Sequence, residues 1–315
     1  MAATDAIASL PVRHDNDQTH GRYWSFNPGV TARSFRTNSL GMKNILVPVD
    51  FSDASANALR FSFALNRHFF ARVNILHLFD VPITTGDDSE LYLRNYQAYR
   101  KSYDDDLWDF VKSNRGDYHY ETDVFSTSGG HYQGIVDFAR KHPTDLTIIG
   151  NKGAGGLRRW MFGSVARYLL THPPVPVLAI PEHFDKSDIK RIVLATDLSG
   201  LMPEPRLNFM KTFAENCKAE LKVIHVRDRN EIKLPGEEKV LDQIKDCLGI
   251  PCETIAVLPG ETISIVINRY LNDHGCDLLV TIPHTHTWLD RLLIGSETRE
   301  LASLIQIPIM SLPGK

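Results

Sequence analysis

The chain has none of the short signatures by which catalytic and phosphate-gripping loops are usually recognised. No G-x4-G-K-[ST], no G-x-G-x-x-G, no G-x-S-x-G and no H-E-x-x-H occurs in its 315 residues. Those absences weigh against a P-loop nucleotidase, a dinucleotide-dependent oxidoreductase, a hydrolase of the nucleophile-elbow type and a zinc peptidase. A paired C-x2-C is missing too. The four cysteines, Cys217, Cys247, Cys252 and Cys276, all lie in the C-terminal half and form no secreted disulfide framework, which fits a reducing cytoplasm. No apolar run approaches the roughly 20 residues of a membrane span. A formal charge of −3 creates no global field for nucleic acid or a lipid surface, so neither is expected as a partner.

What is present is the composition of a folded chain, 43% hydrophobic and 23% charged, with enough apolar material for two ordinary cores. From Lys43 onward, short Val/Ile/Leu-rich runs alternate with helix-length segments. That is the pattern of βαβ units around a parallel sheet covered on both faces. Helices are expected at 52–70, 89–113, 132–141 and 164–171, and again at 203–217, 236–248, 262–274 and 296–303. Residues 1–41 are polar, lack sustained periodicity and carry no signal-peptide core, so they are expected to form a disordered arm. Their apolar surface is too small to offset an ordering cost of roughly 1–2 kcal/mol per residue.

The most informative stretch is the strand-like run from Asp145 to Ile149 that leads into Gly150, Asn151, Lys152 and Gly153, followed after nine residues by Gly163 and Ser164. Glycine at 150 and 153 permits positive φ and close approach of the backbone to a ligand, and Gly163-Ser164 opens a helix whose first amides attract an anion. A glycine turn after a strand serves equally well for tight packing of strand on helix. Lys152, Arg158 and Arg159 flank the turn and either screen phosphate charge or form a solvated basic face. Upstream, the apolar run Ile45–Val49 ends in Asp50 and then Ser52. A carboxylate at the carboxyl end of the first strand of a parallel sheet lies in the crevice where such folds bind ligands. Asp50 is read as an acceptor for an adenine amino group or a ribose hydroxyl, with helix capping as its alternative use.

Those segments, with the strand Val73–Leu78 and the strand Val175–Ile180, make residues 42 to about 182 resemble the universal stress protein family of adenine-nucleotide-binding α/β domains. The resemblance implies a doubly wound, Rossmann-like parallel sheet of the adenine nucleotide α-hydrolase type. It also implies an ATP site, with Mg2+ on the phosphates, at Pro48, Val49, Asp50, Leu78, Gly150, Lys152, Gly153, Gly163, Ser164 and Val165.

The chain then repeats itself. Ile192 to Ser199 matches Ile45 to Ser52, Leu221 to Val226 matches Val73 to Leu78, Asp277 to Ile282 matches Asp145 to Gly150, and Gly295-Ser296 matches Gly163-Ser164. The offsets are 197 − 50 = 147, 225 − 77 = 148 and 277 − 145 = 132, so the first copy holds 148 − 132 = 16 extra residues between its second and fourth strands. In the second copy Ile282 and Thr285 stand where Gly150 and Gly153 stand in the first, and Ala195 replaces Pro48. β-Branched residues suit neither positive φ nor close approach, so copy two is expected to be degenerate as a triphosphate site. The expected organisation is an arm over 1–41, one domain over 42–183 and a second over 188–315, packed as an intramolecular pseudo-dimer that can also present faces for a homodimer.

Tyr92, Tyr96, Tyr99 and Tyr103 recur at helical spacing and are expected to pack on the sheet or on the other copy rather than on a ligand. His77 and His225, at equivalent strand positions, are expected to be structural. His284 and His286 carry a weak zinc reading without the paired spacing such sites use. The functional expectation is a cytoplasmic stress-response module binding ATP in its first domain, with unidentified protein partners and at most weak hydrolysis. Its rivals are an interaction protein with both copies empty and a slow ATPase.

Overall fold

The computed structural model describes residues 22–23, 41–80, 89–151, 163–196, 198, 200–227, 236–257, 261–282 and 306–313. In the first repeat, strands β2 (Asn44–Val49), β3 (Arg72–Phe79), β4 (Thr122–Ser128), β5 (Leu146–Asn151) and β6 (Val177–Pro181) alternate with helices α1 (Asp53–Asn66), α2 (Ser89–Arg115), α3 (His131–Lys141) and α4 (Ser164–Thr171). In the second, β7 (Arg191–Thr196), β8 (Glu220–Arg227), β9 (Cys252–Ala256), β10 (Leu278–Thr281) and β11 (Ile309–Ser311) alternate with α5 (Glu204–Cys217), α6 (Glu237–Leu248) and α7 (Ile263–His274). The expected helix at 296–303 lies outside the described residues. Each repeat orders its strands the same way, β4-β3-β2-β5-β6 and β9-β8-β7-β10-β11, with every internal pairing parallel.

The two halves are one sheet. β6 and β11 pair antiparallel, with Ala179 opposite Ile309, Leu178 opposite Met310 and Val177 opposite Ser311. Because 310 − 178 = 132, the repeat offset in this part of the chain, Leu178 faces its own counterpart and its neighbours face each other's counterparts. That is the self-complementary register of a two-fold interface, written within a single chain. Buried Ser311 reinforces it by donating to the Leu170 carbonyl at 2.7 Å. The apolar interior is consequently divided by the sheet and not by the repeat. One cluster joins α1, α2, α5 and α6 on one face, and the other joins α3, α4 and α7 on the opposite face.

The repeat extends to individual bonds. Asp145 accepts from the amides of Lys43 (2.7 Å) and Asn44 (2.9 Å), and Asp277 accepts from those of Lys190 (3.1 Å) and Arg191 (3.0 Å). His77 Nδ1 meets the Val49 carbonyl and His225 Nδ1 meets the Thr196 carbonyl, each at 2.9 Å, which gives both histidines the structural use expected of them. Left-handed backbone recurs as well, at Phe51 (φ 62°) and Leu198 (φ 54°) after the first strand and at Phe70 (φ 56°) and Lys218 (φ 53°) after the first helix. Such non-glycine positions cost about 1–3 kcal/mol each and persist where packing holds them. Phe51 is held by ring contacts to His77 at 4.5 Å and Phe110 at 5.4 Å.

The residues inserted in the first repeat lie before its third strand. Between paired positions Ile75 and Val124 the chain advances 124 − 75 = 49 residues, against 252 − 223 = 29 between Val223 and Cys252. Twenty extra residues therefore precede the third strand, and four fewer come after it, giving the net sixteen. They lengthen α2 to 27 residues where α6 has 12. Tyr103 packs on His77 and Phe79 and Tyr96 packs on Phe79, while Tyr99 is exposed. The Tyr92 side chain lies outside the described residues.

One segment of the arm departs from the expected disorder: β1 (Arg22–Tyr23) pairs antiparallel with Asp123 and Val124 at the β4 edge. The connector between repeats is docked. Asn57 donates to the Pro181 and Phe184 carbonyls at 2.9 Å, and Arg67 bonds Asp188. The cysteines form no disulfide, and burial pushes the Cys217 and Cys276 thiols up to about 12. No described helix is long and apolar enough to cross a membrane.

Asp277 is 3% exposed, and although burial would raise its carboxyl, the bond from Lys186 and the Lys190 amide hold it below the usual carboxylate range. A depressed folded pKa contributes stability that is complete above the unfolded value, near ~3.9, and is lost as pH falls through the folded one. Asp277→Asn is expected to lower stability at pH 7 by about 1.5–3 kcal/mol, with the deficit shrinking below pH ~4. Urea melts of both proteins across that range check it, and a deficit that persists undiminished into strong acid contradicts it.

Candidate functional site

A cavity of about 190 Å³ opens at the carboxyl ends of the strands of the first repeat. β2 supplies Pro48 and Val49 and leads into Asp50, while Ser52, Ala54 and Ser55 come from the start of α1. Leu76 and Leu78 come from β3, His131 and Ile135 from α3, Ile149 and Gly150 from β5, and Gly163, Ser164, Val165 and Ala166 from the start of α4. This is the crevice where open parallel sheets hold ligands. Pro48, Val49, Asp50, Leu78, Gly150, Gly163, Ser164 and Val165, singled out from the sequence, thus line a single cavity. Lys152, Gly153, Arg158 and Arg159 lie outside the described residues, as do Asp197, Ser199, His284, Thr285, His286, Gly295 and Ser296 of the second repeat.

Several lining residues carry no mark in the sequence motifs. Leu76 shares the face of Leu78 by the two-residue period of a strand, so it was available to a closer reading of Val73–Leu78. Ile135 and His131 come from α3, which carries no glycine motif pointing to the cavity. Ser55 is 4% exposed and turns inward, its hydroxyl donating to the Ser52 carbonyl at 2.9 Å.

The mouth is organised by the turn between β2 and α1. Ser52 is the helix N-cap and accepts from the Ser55 amide at 3.3 Å. Asp50 Oδ1 in turn accepts from the Ser52 amide at 3.1 Å and from the Ser52 hydroxyl. Asp50 therefore supports the cap at one remove while its carboxylate stands exposed at the cavity edge.

The two described glycines of the motif do different work. Gly150 does not adopt positive φ, contrary to one of the two uses foreseen for it; close approach is what it provides. A Cβ there would lie 2.4 Å from the Ala54 carbonyl carbon and oxygen and 2.7 Å from the Ser55 amide nitrogen, so the smallness of Gly150 admits the first turn of α1. At Gly163, the N-cap of α4 with φ −56°, a Cβ would meet nothing within 4 Å among the described residues. No side chain among the described residues caps α4, and the amides of its first turn have the orientation that suits an anion. The Gly163 amide itself is taken by Asn151 Oδ1 at 3.1 Å. Asn151 is 1% exposed, and its Nδ2 is a buried donor without a partner among the described residues.

The second repeat shows the consequence of losing the glycine. Ile282, at the position of Gly150, is 5% exposed, and α5 begins at Glu204 where the counterpart of Asp53 would be residue 200. The missing turn is replaced by a side-chain clamp: Gln243 accepts from the Met202 amide at 2.9 Å and donates to its carbonyl at 2.6 Å.

The universal stress protein family model matches residues 41–181. The chain is 28% identical over 138 residues to a universal stress protein of Methanocaldococcus jannaschii, covering 44% of this chain and 81% of that protein. It is 25% identical over 173 residues to one of Synechocystis, covering 53% of this chain and 57% of the relative. Among solved structures, a universal stress protein from Archaeoglobus fulgidus aligns with a TM-score of 0.61 at 16% identity, over 86% of this chain and 98% of its own. That last likeness extends the shared fold across both repeats.

Gly150→Ala is expected to cost about 1–3 kcal/mol, because the clash is with backbone that cannot swing away. Gly163→Ala should stay within about 0.5 kcal/mol of the parent. Denaturant melts of the two variants separate packing from open space, and equal losses would refute the distinction.

Proposed function

Residues 41–181 belong to the universal stress protein family, and from that premise we propose that this stress-response protein binds one ATP in its first repeat and presents a different surface when the nucleotide changes. The observation that supports the reading most is the cavity at the strand ends, where an exposed carboxylate, an apolar wall and an uncapped helix start converge. Leu76, Leu78 and Ile135 make the apolar wall for a base. Asp50 accepts from the base amino group or a ribose hydroxyl. Gly163 leaves room for phosphate beside the first turn of α4, and the Ser164 hydroxyl donates to it.

Among the described residues no group of three metal ligands occurs. Mg2+ at this site would therefore ride on phosphate oxygens and water, as that ion commonly does. The described lining offers one carboxylate, engaged by Ser52, and one imidazole, His131. The role supported is that of a nucleotide-state sensor, with any hydrolysis slow enough to act as a timer. Ile282 argues against a matching site in the second repeat.

Asp50→Ala is expected to weaken ATP, ADP and AMP by a similar factor, since the carboxylate reads what the three share. Ser164→Ala should weaken ATP more than AMP, by about 0.5–1.5 kcal/mol. Calorimetric titration of each nucleotide into the folded variants checks both, and unchanged affinity after Asp50→Ala sinks the assigned role.

A further inference from the structure

The last turn of α4 is short of hydrogen-bond donors. A helical carbonyl accepts from the amide four residues on, or three on in a tighter turn, and for Leu170 those positions are Pro174 and Pro173. Neither has an N–H. Leu170 is fully buried, so water does not replace the missing donor, and a carbonyl left alone there costs free energy. The donor comes from the other repeat: Ser311, at the end of β11 and itself buried, gives its hydroxyl to the Leu170 carbonyl at 2.7 Å. The arrangement is one-sided. By the repeat offset the counterpart of Ser311 is residue 311 − 132 = 179, and Ala179 has no hydroxyl to return.

We propose that Ser311 is a positioning residue for the phosphate side of the nucleotide site, acting through α4, so that the second repeat sets the phosphate affinity of the first. This role presupposes the ATP site of the first repeat.

α4 has eight residues, two turns, and a helix so short holds its shape by what it packs on. Its buried residues Ala166, Leu169 and Leu170 share one apolar cluster with Val177 and Ala179 of β6 and with Ile309 of β11. α4 therefore straddles the seam between the repeats. At its other end Gly163, Ser164, Val165 and Ala166 line the cavity. At 1.5 Å per residue, Leu170 lies only about 9 Å along the axis from Ser164. The ladder between them includes the bond from the Arg167 amide to the Gly163 carbonyl at 2.9 Å. Two turns shift as one body, so releasing the last turn disturbs the amides of the first.

The base side of the cavity is insulated from this effect. Asp50 follows β2 and Leu76 and Leu78 lie on β3, and both strands are separated from β11 by β5 and β6 in the sheet. Loss of the Ser311 hydroxyl should therefore be felt by phosphate and not by adenosine.

The test compares the full-length parent with Ser311→Ala and with Thr281→Val. Thr281 pairs with Ser311 across β10 and β11, and its buried hydroxyl has no partner among the described residues, so its removal controls for a general disturbance of the seam. Calorimetry with ATP and with adenosine is joined to amide hydrogen exchange without ligand. Ser311→Ala should weaken ATP roughly threefold to tenfold, the size of one hydrogen bond, and leave adenosine within about twofold. Exchange at Arg167 to Leu170 should quicken several-fold in that variant, and Thr281→Val should match the parent throughout. Unchanged ATP affinity in Ser311→Ala overturns the proposal, as does unchanged exchange in α4. Equal weakening of ATP and adenosine also overturns it, because the sheet would then have loosened as a whole. A parent chain that binds no ATP sinks the nucleotide reading and the proposal together, whereas a parent that binds and a variant that binds equally well sinks the proposal alone.

Discussion

The site of the first repeat depends on one close contact, the backbone of Gly150 against the backbone of Ala54 and Ser55, where a Cβ would come within 2.4 Å. Because β5 carries no side chain at Gly150, α1 can begin at Asp53, directly behind the turn that holds Asp50 and Ser52. The helix start then closes one side of the cavity, while the start of α4 closes the other. In the second repeat the branched Ile282 stands at the position of Gly150, α5 starts at Glu204, and Gln243 bonds the amide and the carbonyl of Met202. This steric difference, Gly150 against Ile282, accompanies the different starts of α1 and α5.

The remaining architecture lets the repeats diverge at their ligand ends without coming apart. The β6–β11 register is symmetric about Leu178 and Met310, and the buried Ser311 bond crosses the same seam. The apolar clusters run across both repeats on each face of the sheet, so the second repeat contributes half of each interior. The packing role of the second repeat therefore does not depend on whether it holds a ligand. Asp277 and His225 keep the bonds that Asp145 and His77 make in copy one, since those bonds serve the sheet rather than a ligand.

Much of the fold was legible in the sequence because strands and helices here carry unambiguous periods and stop signals. α4 matches its expected bounds because Gly163-Ser164 opens it and Pro173 and Pro174 come after it. α1 stops at Asn66 and not at Phe70, because the Asn66 side chain bonds both the amide and the carbonyl of Ala71, and Phe70 turns left-handed. Nothing in the apolar pattern announces that local competition. The site was legible wherever a strand end or glycine marked it, and less so where Ile135 and His131 enter from a helix paired with it only in three dimensions. The division of the core by sheet face was invisible to composition, which counts apolar residues without saying which side of a sheet they cover.

The central claim is that the Gly150 contact makes a nucleotide cradle in the first repeat and that Ile282 removes its twin from the second. The stoichiometry of labelled ATP retained per full-length chain in equilibrium dialysis tests it most directly. One nucleotide per chain is the predicted result. Two per chain would mean that Ile282 excludes nothing, and none would mean that Gly150 serves packing alone.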